Sequence, residues 1–270
     1  MKMRKRNNVQ IYGNGTTPII FAHGFGCDQH IWEYVIPGFF DTYQVILFDY
    51  AGSGNSSAGS YSEERYSSID GYAKDVIGIM EEMALTDAIF VGHSFSGMVG
   101  LKIALERPEL LRSNIMLGAS PRFLNEDGYQ GGLEEEELEK LLQLMESDYR
   151  KWARYMAELF LEEMDAPKMK EELEEMLADQ SPEITRSFAE VAFTLDMREE
   201  LKENTVPSLL LQSKEDSLVP PAAGEYLREH LPYSESVVLD AKGHAPHLSH
   251  PQEVTALIMD YIEQRLWKSS

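Results

Sequence analysis

Continuous apolar runs of strand length alternate with helix-period segments along most of this chain, and that alternation narrows the fold more than any other feature. Pro18-Ile19-Ile20-Phe21-Ala22 is one such run, ending at the loop His23-Gly24-Phe25-Gly26. Tyr43-Gln44-Val45-Ile46-Leu47-Phe48 is a second, followed by Asp49 and the turn Gly52-Ser53-Gly54. Tyr72, Val76, Ile79, Met80 and Met83 then recur at the period of a helix face. Residues 88–91 and 114–117 read as further strands, and after residue 205 the alternation resumes with strands over 207–212 and 236–240 and helices over 221–231 and 251–267. A strand that is apolar along its whole length is buried on both faces. Strands of this kind interleaved with helices predict an α/β fold, with a mostly parallel central sheet and helices on both faces.

Residues 122–204 break the rhythm. No strand pattern appears there, but four helical stripes do. They are Leu138, Leu141, Leu142 and Met145; Trp152, Met156, Leu159 and Phe160; Met169, Leu173, Met176 and Leu177; and Ile184, Phe188, Val191 and Leu195. The last opens with Ser181 as N-cap and Pro182 at the first helical position. The expected organisation is a core of residues 1–121 and 205–270 with a helical cap, 122–204, inserted over the carboxyl edge of the sheet. The cap holds 24 acidic and 10 basic residues, and so 14 of the chain's 22 net negative charges. Its run Glu134-Glu135-Glu136-Glu137 reads first as a solvated helix face and second as a docking face for a basic partner.

Composition removes several function classes. A chain of 270 residues buries enough surface to fold without staples, and its one cysteine, Cys27, excludes an internal disulfide framework. A formal charge of −22 repels phosphate backbones and anionic lipid, so neither nucleic acid nor a membrane surface is an expected partner. No apolar run approaches the roughly 18–20 residues of a membrane span. Lys2, Arg4, Lys5 and Arg6 look like the start of a signal peptide, but Asn7-Asn8-Val9-Gln10 stands where its apolar segment should begin. The expected location is the cytoplasm.

Gly92-His93-Ser94-Phe95-Ser96, between a strand and a helical pattern, resembles the G-x-S-x-G nucleophile elbow of the α/β-hydrolases. A serine on a sharp strand-to-helix turn projects its hydroxyl beyond the sheet edge, and the helix N-terminus behind it favours a developing oxyanion. Gly92 fits the requirement for a small neighbour, whereas Ser96 puts a side chain where a glycine is usual. Gly97 and Gly100 let the helix approach the sheet closely. A serine hydroxyl needs a base, and His244, in a loop after a strand, is the best candidate. His23 and His93 read as structural. His244, His247 and His250 have an H-x-x-H-x-x-H spacing, but on a loop holding Pro246 and Pro251 it does not put three rings on one face, which argues against a metal site. The acid that orients the base is Asp216, with its neighbour Glu215 as the alternative. Ser94, Asp216 and His244 follow the chain order of an α/β-hydrolase triad. The oxyanion donors are the backbone N–H groups of Phe25 and Phe95. This chemistry needs no cofactor. Phe123, Trp152, Met156, Phe188 and Phe193, with the two oxyanion phenylalanines, are candidates to line an apolar substrate pocket, or else simply to pack the cap. The loop Asp49-Tyr50-Ala51-Gly52-Ser53-Gly54 lacks the Lys-Ser/Thr of a P-loop and has Ser57 where a dinucleotide fingerprint needs its third glycine, so it reads as a strand-exit turn.

The resemblance extends beyond the motif. Phe21-Ala22-His23-Gly24-Phe25-Gly26-Cys27-Asp28-Gln29, Val45-Ile46-Leu47-Phe48-Asp49-Tyr50, Asp70-Gly71-Tyr72-Ala73, Val91-Gly92-His93-Ser94, His230-Leu231-Pro232-Tyr233-Ser234 and Gly243-His244-Ala245-Pro246-His247 are similar to segments of the RsbQ-like α/β-hydrolases. RsbQ is a bacterial stress-response regulator, and the plant karrikin and strigolactone receptors belong to the same α/β-hydrolase group. The similarity spans about residues 8–264. It implies a Ser-His-Asp hydrolase core with a four-helix cap over a small apolar cavity, the triad falling on Ser94, His244 and Asp216 and the oxyanion donors on Phe25 and Phe95. It also implies a signalling role, in which such a protein works with a PAS-containing serine phosphatase upstream of a general-stress sigma factor. Two functions follow as expectations: hydrolysis of a small hydrophobic ester, or binding and slow turnover of a hydrophobic signal.

Overall fold

The computed structural model describes residues 1–162 and 166–266. Seven strands, β1 (Gln10–Tyr12), β2 (Thr17–Ala22), β3 (Tyr43–Leu47), β4 (Ala88–His93), β5 (Leu111–Leu117), β6 (Ser208–Glu215) and β7 (Ser234–Lys242), form one sheet in the order β1-β3-β2-β4-β5-β6-β7. Only β1 runs antiparallel, pairing with β3. All six residues of β4 and the last four of β2 are buried, as expected of central strands covered on both faces. The outer strand β7 is buried at only a few positions.

The helices are α1 (Met3–Arg6), α2 (Ile69–Glu82), α3 (Phe95–Glu106), α4 (Glu135–Ser147), α5 (Tyr149–Phe160), α6 (Pro167–Ala178), α7 (Pro182–Thr194), α8 (Pro221–His230), α9 (Pro246–Ser249) and α10 (Pro251–Tyr261). α10 is followed by a wide turn over Ile262–Leu266, and residue 267, the end of the expected last helix, lies outside the described residues. Among the described residues, no helix is long and apolar enough to cross a membrane.

Helices α4–α7 lie in the chain between β5 and β6 and form the cap. Of the expected stripes of α4, α5 and α6, Leu138, Leu141 and Met145, then Trp152, Met156 and Phe160, then Leu173 and Leu177 are buried, while Leu142, Leu159, Met169 and Met176 are only half-buried. α7 differs. Its buried face is Thr185, Phe188, Ala189, Ala192 and Phe193, while Ile184, Val191 and Leu195 are only half-buried. Two of these five inward residues are alanines. The acidic run at the start of α4 has a local use: Glu134 and Glu137 form a reciprocal capping box, and the carboxylates of the first turn face the positive end of the helix.

Register brings the functional loops to one edge. Ala22 pairs with Gly92, His93 with Leu117, and Leu117 with Leu211, so the carboxyl ends of β2, β4 and β5 are level, while β6 runs on past them to Glu215.

Candidate active site

Ser94 stands between β4 and α3 with φ 55° and ψ −121°, a region a non-glycine residue enters only when its surroundings force it. The turn leaves no room at position 92: a Cβ there would lie 2.4 Å from the carbonyl carbon and oxygen of Ser96. One at Gly97 would lie 2.6 Å from the Ala119 side chain, and one at Gly100 2.3 Å from Asn114 Oδ1, so both glycines let α3 sit against β5.

The Ser94 hydroxyl lies 2.8 Å from His244 Nε2, and His244 Nδ1 lies 2.8 Å from Asp216 Oδ2. The His244 and Asp216 side chains are each 1% exposed. The carboxylate can only accept, so Nδ1–H donates to it and Nε2 is left to accept the serine proton. The other oxygen of Asp216 accepts the backbone N–H groups of Leu218 and Val219, which fixes the carboxyl plane. Glu215, the alternative acid, points away to solvent and pairs with Lys242 at 3.1 Å.

The remaining histidines have other roles. His93 Nε2–H donates to the His244 carbonyl at 2.8 Å, holding the backbone of that loop, and burial beside His247 and His244 keeps its pKa well below the usual value. His23 is buried too, accepts the Tyr50 N–H at Nε2 and donates from Nδ1 to the Gly24 carbonyl; burial lowers its pKa against the pull of Asp49. The His247 ring packs at a tilt between Trp32, 4.6 Å away, and His93, 4.3 Å away, and burial pushes its pKa down to about 3. His247 lies in α9 and His250 at the junction of α9 and α10, while the His244 and His247 rings each pack on His93, at 5.0 and 4.3 Å. Among the described residues, no cluster of three metal-ligating side chains occurs. Burial raises the Cys27 thiol far above the usual range, leaving it unreactive.

Phe95 is the first residue of α3, where an N–H has no helical acceptor, and Phe25 lies in the loop after β2. Ser96 ties the two loops together. Its hydroxyl donates to the His23 carbonyl at 2.5 Å and shares a 2.7 Å hydrogen bond with the Tyr50 hydroxyl, all of it buried. Its side chain is thus a bridge to the strand end that carries Phe25, and the steric requirement of the elbow falls on position 92 alone.

The space against Ser94 and His244 is a chamber of about 10 Å³, room for one water molecule. Phe25, Phe95, Phe123 and Phe193 line it, with Phe160, Ala192 and Leu218. Trp152, Met156 and Phe188 are not among the residues lining this chamber. Trp152 stacks on Tyr149 at 4.9 Å and meets the edge of Phe25, Phe188 stacks on Tyr72 at 4.7 Å, and Met156 faces a groove on the outer side of the cap. Leu218 was within reach of the sequence, being two residues past Asp216. Phe160 was not, because its position depends on how the end of α5 docks.

That docking is specific. The Phe160 carbonyl accepts the Ala245 N–H at 3.0 Å, and Glu162 Oε1 accepts the Ser217 N–H at 3.1 Å. Gly243 has φ +88°, and a Cβ there would lie 2.6 Å from the Phe160 carbonyl oxygen.

A model of the alpha/beta hydrolase family matches residues 19–257. The chain is 37% identical to the karrikin insensitive 2 receptor CA of Petunia hybrida over 96% of its own length and 97% of the receptor's. It is 35% identical to strigolactone esterase D14 of Arabidopsis thaliana, covering 93% of this chain and 94% of that one. The solved structure of a hydrolase from Oleispira antarctica superposes with a TM-score of 0.94 at 35% identity, over 97% of each chain.

Proposed function

The chain belongs to the alpha/beta hydrolase family, and from that premise we propose that it is a serine carboxylesterase acting on a small hydrophobic ester. The observation that carries the reading is the pair of 2.8 Å hydrogen bonds linking Ser94, His244 and Asp216. Ser94 Oγ attacks the ester carbonyl carbon while His244 Nε2 takes its proton. Asp216 holds the imidazole in the required tautomer and stabilises the imidazolium. The Phe25 and Phe95 N–H groups receive the oxyanion. As the tetrahedral adduct collapses, His244 gives the proton to the leaving alcohol. A water molecule, deprotonated by the same histidine, then releases the acid and restores Ser94. Phe123 and Phe193 contact the substrate's apolar part. A fluorophosphonate probe is expected to label one residue, Ser94, and Ser94→Ala to abolish both labelling and hydrolysis; a label elsewhere refutes the assignment.

A second reading is supported by the nearly filled chamber and by the receptor name of a relative. In it the protein is a cytoplasmic RsbQ-like signalling module that binds or slowly hydrolyses a hydrophobic signal and activates a PAS-containing serine phosphatase. Ser94→Ala separates the two, since stress signalling that persists at full strength without hydrolysis makes binding the function.

A further inference from the structure

His93 is fully buried at the carboxyl end of β4, and the reaction steps give its side chain no part. Burial keeps the ring neutral, so one nitrogen alone carries a proton. The His244 carbonyl can only accept, and the 2.8 Å hydrogen bond to it therefore places that proton on Nε2. The other nitrogen meets the loop after β2: a Cβ at Gly24 would lie 2.7 Å from His93 Nδ1. Among the described residues nothing hydrogen-bonds to Nδ1, so this second contact is one of packing. Gly24 immediately precedes Phe25, and His93 itself immediately precedes Ser94. One ring thus touches the segments that carry an oxyanion donor, the nucleophile and the base. The His247 ring at 4.3 Å and the edge of Phe160 at 6.2 Å enclose it further.

We propose that His93 is a positioning residue for ester hydrolysis, a spacer that holds the His244 imidazole and the Phe25 N–H at one fixed separation around Ser94 Oγ. The sheet alone does not set that separation. The base loop follows β7, three strands away from β4, so no ladder hydrogen bond ties it to the elbow, and the bond from His93 Nε2 is a direct tie. On its other side the ring is the stop against which Gly24, and with it Phe25, comes to rest. A misplacement of about 1 Å among reacting groups can cost about 100-fold in rate. The ring does not line the chamber beside Ser94, so its loss acts on the reacting geometry and leaves substrate binding alone. The inference rests on the esterase reading, whose site it deepens.

The test is hydrolysis of 4-nitrophenyl acetate. His93→Met, which fills the space without a donor, should lower kcat at least about tenfold with KM within twofold. His93→Gln carries an amide N–H about where Nε2 stands and should bring kcat back to within about threefold of the wild type. Gly24→Ala pushes the ring aside and should lower kcat about tenfold by itself, but less than twofold in the His93→Met background, where a flexible side chain yields. A His93→Met kcat within twofold of the wild type, a His93→Gln no better than His93→Met, or a loss confined to KM overturns the proposal. Should His93→Met lack an unfolding transition, the other two variants decide: kcat kept in His93→Gln and lowered in Gly24→Ala supports the spacer, and any other pair of results overturns it. The far-downfield proton resonance of His244 Nδ1–H bonded to Asp216 reads the same geometry without turnover. Its loss in His93→Met and return in His93→Gln carry the positioning role even where no ester is hydrolysed, and an unchanged resonance there removes it. Hydrolysis with an unchanged kcat in His93→Met leaves the esterase and removes the spacer.

Discussion

The bridge made by Ser96 can be measured with a double-mutant cycle. Ser96, Tyr50 and His23 are each 0% exposed, so no water replaces a lost partner. Ser96→Ala strands the Tyr50 hydroxyl and removes a donor from the His23 carbonyl, and each buried orphan costs about 1–3 kcal/mol, giving roughly 3 kcal/mol in total. Tyr50→Phe removes one hydroxyl but leaves Ser96 bonded to His23, a loss of about 1 kcal/mol. The double variant strands only the carbonyl, about 2 kcal/mol, so the two changes should couple by roughly 2 kcal/mol. At about 2.1 cal/mol/K of unfolding entropy per residue, Ser96→Ala lowers Tm by about 5 °C. Urea unfolding followed by tryptophan fluorescence measures all four corners. The bridge also sets the strand end that carries the Phe25 N–H. One oxyanion donor is worth about 2.7–4 kcal/mol, and loosening it by a third to a half lowers kcat about tenfold. KM for a small ester should stay within twofold. Additivity within about 0.5 kcal/mol, together with an unchanged kcat, would refute the reasoning.

The neighbouring acids should separate cleanly in kinetics. Asp216→Asn leaves the geometry but favours the wrong imidazole tautomer, and is expected to lower kcat by about 10⁴, while Glu215→Gln, which loses only an exposed pair with Lys242, should stay within twofold. Stability should fall as the solution is acidified from pH 6.5 towards 3. In that window the unfolded chain protonates His247 and the native one does not, because burial holds its pKa at about 3. This single group costs about 2 kcal/mol at pH 5, so the difference in unfolding free energy between pH 7 and pH 5 should shrink by that amount in His247→Leu. An equal slope in the variant would show that His247 is protonated in the native protein.

What the sequence disclosed followed from local pattern. Ser94, Asp216 and His244 each sit just past an apolar strand, and a parallel sheet places such loops at one edge. Asp216 was chosen over its neighbour Glu215 from the sequence, but what separates the two, the pairing of Glu215 with the distant Lys242 and of Asp216 with the amides of Leu218 and Val219, is set by the fold. Ser96 looked like crowding because a pattern records size, whereas its hydroxyl is used by Tyr50 and His23 from two other loops. The inward face of α7 was misjudged because Ala189 and Ala192 give weak apolar signals beside Ile184 and Val191. β1 escaped because it is three residues long and exposed throughout.

The end of α5 has a consequence for how this protein works. Phe160 and Glu162 grip the amides of Ala245 and Ser217, the immediate chain neighbours of the base and the acid. Roof and proton wire therefore share their moorings, and hoisting the roof off its hinges would slacken His244 and Asp216 in the same stroke. On the esterase reading, a guest let in by raising the roof would meet a slackened triad until those two hydrogen bonds form again.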